Sequence, residues 1–186
     1  MVKNIFITGA PSSGKTTVIK KVISELTLPA SGFYTEEEKI DGRRSGFIMK
    51  TLDGKSGYLG HEKIKSEYFI RRYGVSIENI ENIAVPSIYP VKNNIIILDE
   101  IGSMECFSDK FQTAALKALD SENIVIGTIT LGSTDFIDKV KSRKDIEIMK
   151  LTRENRNDLP DRIIVKINEL LEFFSEPVPE DDSRHV

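Results

Sequence analysis

The chain has one cysteine, Cys106, and two histidines, His61 and His185, in 186 residues. A single thiol excludes an internal disulfide, and histidines this far apart exclude a zinc cluster of standard spacing. Long apolar runs are missing as well: the longest falls within Asn94–Leu98, against the roughly 20 residues that a membrane helix needs. No membrane partner is expected. The first residues lack a secretory cleavage pattern, so the expected location is a reducing cytoplasm. Neither sign of charge is in large excess. With 26 Lys and Arg against 29 Asp and Glu, a net charge of -3 and a pI near 5.6, no global field draws in a polyanion. Nucleic acid is therefore possible but not indicated. Phosphate binding, if present, must come from a local device. At 39% hydrophobic and 30% charged residues, the composition is that of a globular chain rather than a disordered one.

Along the chain, Val2–Thr8 is rich in β-branched and aromatic residues and stops at Gly9, which predicts a buried strand. From Lys15 the apolar period becomes helical, through Val18, Ile19, Val22, Ile23 and Leu26. Between Gly32 and Gly60, three β-prone runs are separated by Asp41-Gly42 and Asp53-Gly54, the signature of an antiparallel meander. Residues 61–92 are mixed, with a helix predicted from Ile77 to Ala84, ending before Pro86. Beyond them, strands at 94–99, 123–129 and 146–151 alternate with helices at 108–119, 135–140 and 160–174. Such alternation predicts a mostly parallel sheet covered on both faces. Residues 1–174 are expected to form one domain with the 32–60 meander inserted. The acidic, proline-containing 175–186 tail is expected to be mobile.

Gly9-Ala10-Pro11-Ser12-Ser13-Gly14-Lys15-Thr16 matches G-x-x-x-x-G-K-[ST] at every fixed position. A chance match somewhere in a chain of this length has a probability of about half a percent. The motif also stands where its mechanism requires, after a strand and at the start of a helix. Successive backbone N–H groups there curl round a β-phosphate at the positive end of the helix dipole. Lys15 then reaches the β- and γ-phosphates, and the Thr16 hydroxyl is the expected Mg²⁺ ligand, with Thr17 next to it.

The apolar strand Ile95–Leu98 ends in Asp99-Glu100-Ile101-Gly102. Strand ends of a parallel sheet lie beside the phosphate loop, so Asp99 is the expected Walker-B aspartate holding Mg²⁺. Glu100 can accept a proton from attacking water, which points to hydrolysis. Glu105 is either a second site carboxylate or a helix-dipole partner. Arg44 and Arg143 are the candidates for stabilising charge on the transferred phosphoryl group. Arg71 and Arg72 read as surface charges, and Arg153 to Asn157 are candidates for base or ribose contacts. Cys106 has no neighbouring histidine and reads as a structural thiol rather than a nucleophile. No Asn-Lys-x-Asp segment appears, which disfavours a guanine-selective site.

Gly9 to Thr17, the meander segments Gly32–Glu37 and Gly42–Phe47, and Asp99-Glu100-Ile101-Gly102-Ser103-Met104-Glu105 resemble the nucleoside-triphosphatase family first described from thermophiles, also called cancer-related nucleoside triphosphatase. Gly127–Ile129, Arg143–Asp145 and Thr152–Pro160 follow in the same order, so the resemblance spans about Lys3 to Ile167. It implies a P-loop NTPase with a RecA-like three-layer α/β sandwich. It also implies slow, Mg²⁺-dependent hydrolysis of ATP, GTP, CTP and UTP to diphosphate and phosphate, with little base selectivity. The rival readings are a nucleoside or nucleotide kinase, and a nucleotide-gated module that binds RNA or protein through the meander. Oligomeric state is not legible in the sequence.

Overall fold

The computed structural model describes residues 1–175. The expected mobile tail lies outside the described residues, apart from Ser175, which closes the last helix.

Among the described residues nine strands join one sheet: β1 (Asn4–Thr8), β2 (Ala30–Ile40), β3 (Arg43–Thr51), β4 (Ser56–His61), β5 (Phe69–Ile70), β6 (Tyr73–Val75), β7 (Ile95–Ile101), β8 (Val125–Ile129) and β9 (Ile146–Lys150). Their order is β5-β6-β4-β3-β2-β7-β8-β1-β9. β2, β7, β8, β1 and β9 run parallel, while β3 to β6 continue the sheet antiparallel. The meander thus shares its first strand with the parallel sheet: residues 30–33 of β2 pair with β7, and the rest of β2 pairs with β3.

Strand side chains alternate between faces, and here each face has its own core. Ile5, Ile7, Ile95 and Ile97 pack with Val18, Ile19 and Val22 of α1 (Lys15–Glu25) and with Leu159, Ile163 and Ile167 of α5 (Leu159–Ser175). Phe6, Ile96 and Leu98 face the other way. They meet α2 (77–87), α3 (Asp109–Asp120) and α4 (Asp135–Lys141). Each such fully buried side chain contributes about 1.5–3 kcal/mol of transfer free energy. The starts of α3 and α4 are capped by hydroxyls. Ser108 Oγ accepts from the Phe111 N–H, and Thr134 Oγ1 from the Ile137 N–H.

Two local features differ from the sequence pattern. α2 does not stop before Pro86 but runs to Ser87, because a widened turn over Ile80–Ala84 precedes it, with the Val85 N–H donating to Ile80 O. A proline that opens a fresh turn forfeits one hydrogen bond without clashing into the turn before it. The second feature is the β5–β6 hairpin, which no periodicity announces. Its strands are two and three residues long, and Arg71-Arg72 occupy the turn where Asn-Gly or Asp-Gly would be the signal.

Candidate active site at the end of the parallel strands

The phosphate loop fills residues 9–14 between Thr8, the end of β1, and Lys15, the start of α1. Gly14 has φ +98°, a backbone region that side chains disfavour. A Cβ on Gly9 would come within 3.2 Å of Leu151 O, so the glycine lets the loop rest on the exit of β9. The Ser13 N–H closes a turn onto Ala10 O at 3.2 Å. No side chain caps α1, which leaves its first N–H groups to a ligand. Lys15 folds back over the loop, its Nζ donating to Gly9 O at 3.3 Å.

β7 delivers the carboxylates. Its ladder with β8 slips between Leu98 and Ile101, and both Asp99 and Glu100 line the cavity in front of the loop. Asp99 is buried at 1% exposure and accepts from Thr128 Oγ1 at 2.6 Å. Thr35 Oγ1 donates to Asp99 O at 3.0 Å, so β2 and β8 fix this residue from both sides. Oδ2 of Asp99 has no partner. Burial holds the carboxyl above the ordinary carboxylate range, against the Thr128 and Thr16 hydroxyls and the Lys15 charge. A buried, unpartnered carboxylate oxygen beside the Thr16 hydroxyl is a hard-oxygen donor set, the kind that suits Mg²⁺. Among the described residues no group of three or more His, Cys, Asp or Glu is placed to hold a metal alone.

Glu100 Oε1 stands 3.9 Å from Lys15 Nζ. Burial raises its carboxyl too; Lys15 opposes the shift and Asp99 adds to it. Glu105, in the turn Glu105–Phe107, is buried just behind. Burial, with Glu100 adding to it, pushes its carboxyl up to about 8. It does not line the cavity. Cys106 is half-buried and its thiol is pushed up to about 12, chiefly by burial, which leaves it inert.

Arg44 joins the site from β3. Its Nη2 donates to Ser12 Oγ at 3.2 Å and to Glu37 Oε1, and it lines the same cavity as Lys15. Arg143 does not join. It forks onto Asp145, with Nε to Oδ1 at 2.9 Å and Nη2 to Oδ2 at 2.6 Å, and pairs with Asp120 at 2.8 Å. This cluster sits where the Asn4 N–H donates to Asp145 O, at the start of β1, and the phosphate loop is at its end. The expectation of a site role for Arg143 is therefore corrected: the residue precedes β9, and strand starts lie at the opposite end of a parallel sheet from the site.

Of the remaining expected residues, Gly9, Pro11, Ser12, Ser13, Gly14, Thr16 and Thr17 line the cavity. Ala10 is exposed on the same loop. Ile101 turns into the core and Gly102 is buried, so neither reaches the cavity. Asn155 is taken up by its own turn, with Oδ1 accepting from the Thr152 N–H at 2.8 Å and Nδ2 donating to Lys150 O at 2.9 Å. Arg71 and Arg72 are exposed, as expected of surface charges, and the β5–β6 hairpin also carries both to the far wall of the cavity. The cavity measures about 1150 Å³.

A family model described as NTPase matches residues 4–164. The nucleoside-triphosphatase THEP1 of Thermotoga sp. (strain RQ2) is 44% identical over 162 residues, 86% of this chain and 92% of that protein. The crystal structure of THEP1 from Aquifex aeolicus superposes with a TM-score of 0.80 at 31% identity, covering 88% of this chain and 98% of that one. The solution structure of a human cancer-related nucleoside triphosphatase gives a TM-score of 0.75 at 31% identity, covering 90% and 98%. No helix among the described residues is long and apolar enough to cross a membrane.

Proposed function

Because the chain belongs to the NTPase family and is a nucleoside triphosphatase with a P-loop NTPase fold, we propose that it cleaves ATP, GTP, CTP and UTP to diphosphate and phosphate in the cavity between the phosphate loop and β7. The backbone N–H groups of residues 9–16 cradle the phosphates, and Lys15 meets the terminal one. Thr16 and Asp99 are the residues that would hold Mg²⁺, which when bound neutralises charge on the phosphate oxygens. Glu100 takes the proton of the attacking water as its oxygen bonds to the γ-phosphorus and the bridging oxygen leaves on the diphosphate. Arg44 supports the charge that develops on the γ-phosphoryl oxygens. The observation that carries this reading is one cavity lined by Lys15, Thr16, Asp99 and Glu100, with an unpartnered Asp99 oxygen among them.

The absence of a base-reading motif supports broad base selectivity, the family resemblance supports slow turnover, and the single cysteine supports a reducing, cytoplasmic location. The test is phosphate release from each of the four triphosphates with Mg²⁺ and with a chelator. Comparable rates on all four, abolished by the chelator, are expected. Release that continues undiminished in chelator contradicts the metal assignment, and activity on one base alone contradicts broad selectivity.

A further inference from the structure

The cavity extends past the point where a terminal phosphate belongs. Its volume of about 1150 Å³ exceeds the roughly 300–1,000 Å³ of a single small-molecule site, and the sheet order says where the excess lies. Lys15 and Glu100, 3.9 Å apart, mark the terminal-phosphate end. β8 separates β1 from β7, and the meander strands continue beyond β7. A triphosphate on the loop with its terminal phosphate at Lys15 therefore points that end at the meander, and its nucleoside leaves on the β9 side.

The far wall, built by β3 and the β5–β6 hairpin, has a chemistry of its own. Phe47 and Tyr73 stand edge to face with ring centroids 5.2 Å apart, and Met104 and Ile70 extend the apolar surface into the cavity. Most charges around the cavity are already matched: Lys15 with Glu100, Lys20 with Glu36, Arg44 with Glu37. Arg72 is occupied as well, donating to Arg44 O and standing 3.8 Å from Glu62. Arg71 lines the cavity at the hairpin tip, with φ +55°. It has no hydrogen-bond or ion-pair partner among the described residues. Arg44 covers one face of the Phe47 ring at 5.3 Å and Arg72 one face of the Tyr73 ring at 5.2 Å, so the apolar-aromatic surface is stepped, with ring edges and the opposite faces left to a ligand. Edged by a free guanidinium, it matches a ligand with an apolar ring and a phosphate.

Resting on the triphosphatase reading, we propose that this wall is a second ligand site for a nucleoside monophosphate, its ring against Phe47, Tyr73 and Met104 and its phosphate on Arg71. The site lies beside the terminal phosphate of the bound triphosphate, on the side from which Glu100 delivers water.

The test is calorimetric titration of GMP, AMP, CMP and UMP into full-length protein saturated with Mg²⁺ and a non-hydrolysable triphosphate analogue. Inorganic phosphate and guanosine are titrated separately. One monophosphate per chain is expected, bound more tightly than phosphate or guanosine alone. Arg71→Glu and Phe47→Ala should each weaken it by about tenfold or more, while Arg71→Glu leaves KM and kcat for the triphosphate within about twofold. Three results overturn the proposal: no monophosphate binding to the saturated wild type, binding that Arg71→Glu leaves intact, or a raised triphosphate KM in Arg71→Glu, which would make the wall the substrate's own nucleoside pocket. Analogue binding is measured first. Its failure defeats the triphosphatase reading; success followed by no monophosphate binding defeats only the second site.

Discussion

Lys15 Nζ lies 3.9 Å from Glu100 Oε1, a contact between the phosphate loop and the exit of β7, with β8 between their strands. Lys15 is the influence that lowers the Glu100 carboxyl against its burial. A terminal phosphate that draws the ammonium away thus raises the proton affinity of Glu100 at the moment a base is needed. Lys15→Ala is expected to weaken triphosphate affinity by about tenfold or more. Equilibrium binding of a fluorescent triphosphate checks it, and unchanged affinity contradicts the loop assignment.

The raised Glu100 carboxyl sets a pH dependence. Only its ionised form accepts a proton, so turnover rises with pH through the raised pKa and levels off above it. The acid limb of kcat is expected above the ordinary value of 4.5. A limb at that ordinary value contradicts the environment described for Glu100.

The two arginines separate cleanly. Arg44→Ala removes a cation from the cavity and a hydrogen bond to Ser12 of the loop, so kcat is expected to fall by about tenfold or more. Arg143→Ala leaves kcat unchanged and costs at most about 1–2 kcal/mol of stability, the worth of a partly exposed forked pair. Steady-state kinetics and chemical denaturation of both variants decide it; equal losses of turnover contradict the placement.

What was legible in the sequence follows from what is contiguous in it. The phosphate loop is eight consecutive residues whose glycines shape the backbone and whose lysine reaches over it, and Asp99-Glu100 end a run of strand residues. Arg143 misleads because nearness in sequence to β9 does not say which end of that strand a residue occupies. Arg71 and Arg72 read correctly as exposed, but their place on the cavity wall is not legible because the strands that carry them are too short to show a period and their turn has no glycine. The burial of Glu105 is a tertiary fact, since an acid at a helix start looks the same whether solvated or enclosed.

Glu105 carries a stability prediction. Its carboxyl holds a proton up to about 8 in the folded chain, against 4.5 as the ordinary value. Between those values the folded state binds more protons than the unfolded one, so stability falls as pH rises through that window and levels off above it. Glu105→Gln removes the ionisation. The variant is expected to be more stable than the wild type by about 1 kcal/mol or more at pH 8, with the advantage shrinking toward pH 5. Thermal unfolding across pH reads this, and a pH-independent difference contradicts it.

The central claim is that Glu100 activates water in a site whose nucleotide grip lies elsewhere. Glu100→Gln keeps the shape and removes the base, and the decisive measurement pairs its single-turnover phosphate release with its equilibrium triphosphate affinity. The account predicts affinity within about threefold of wild type and release slowed by about a hundredfold or more. Undiminished release from the Gln variant would contradict it.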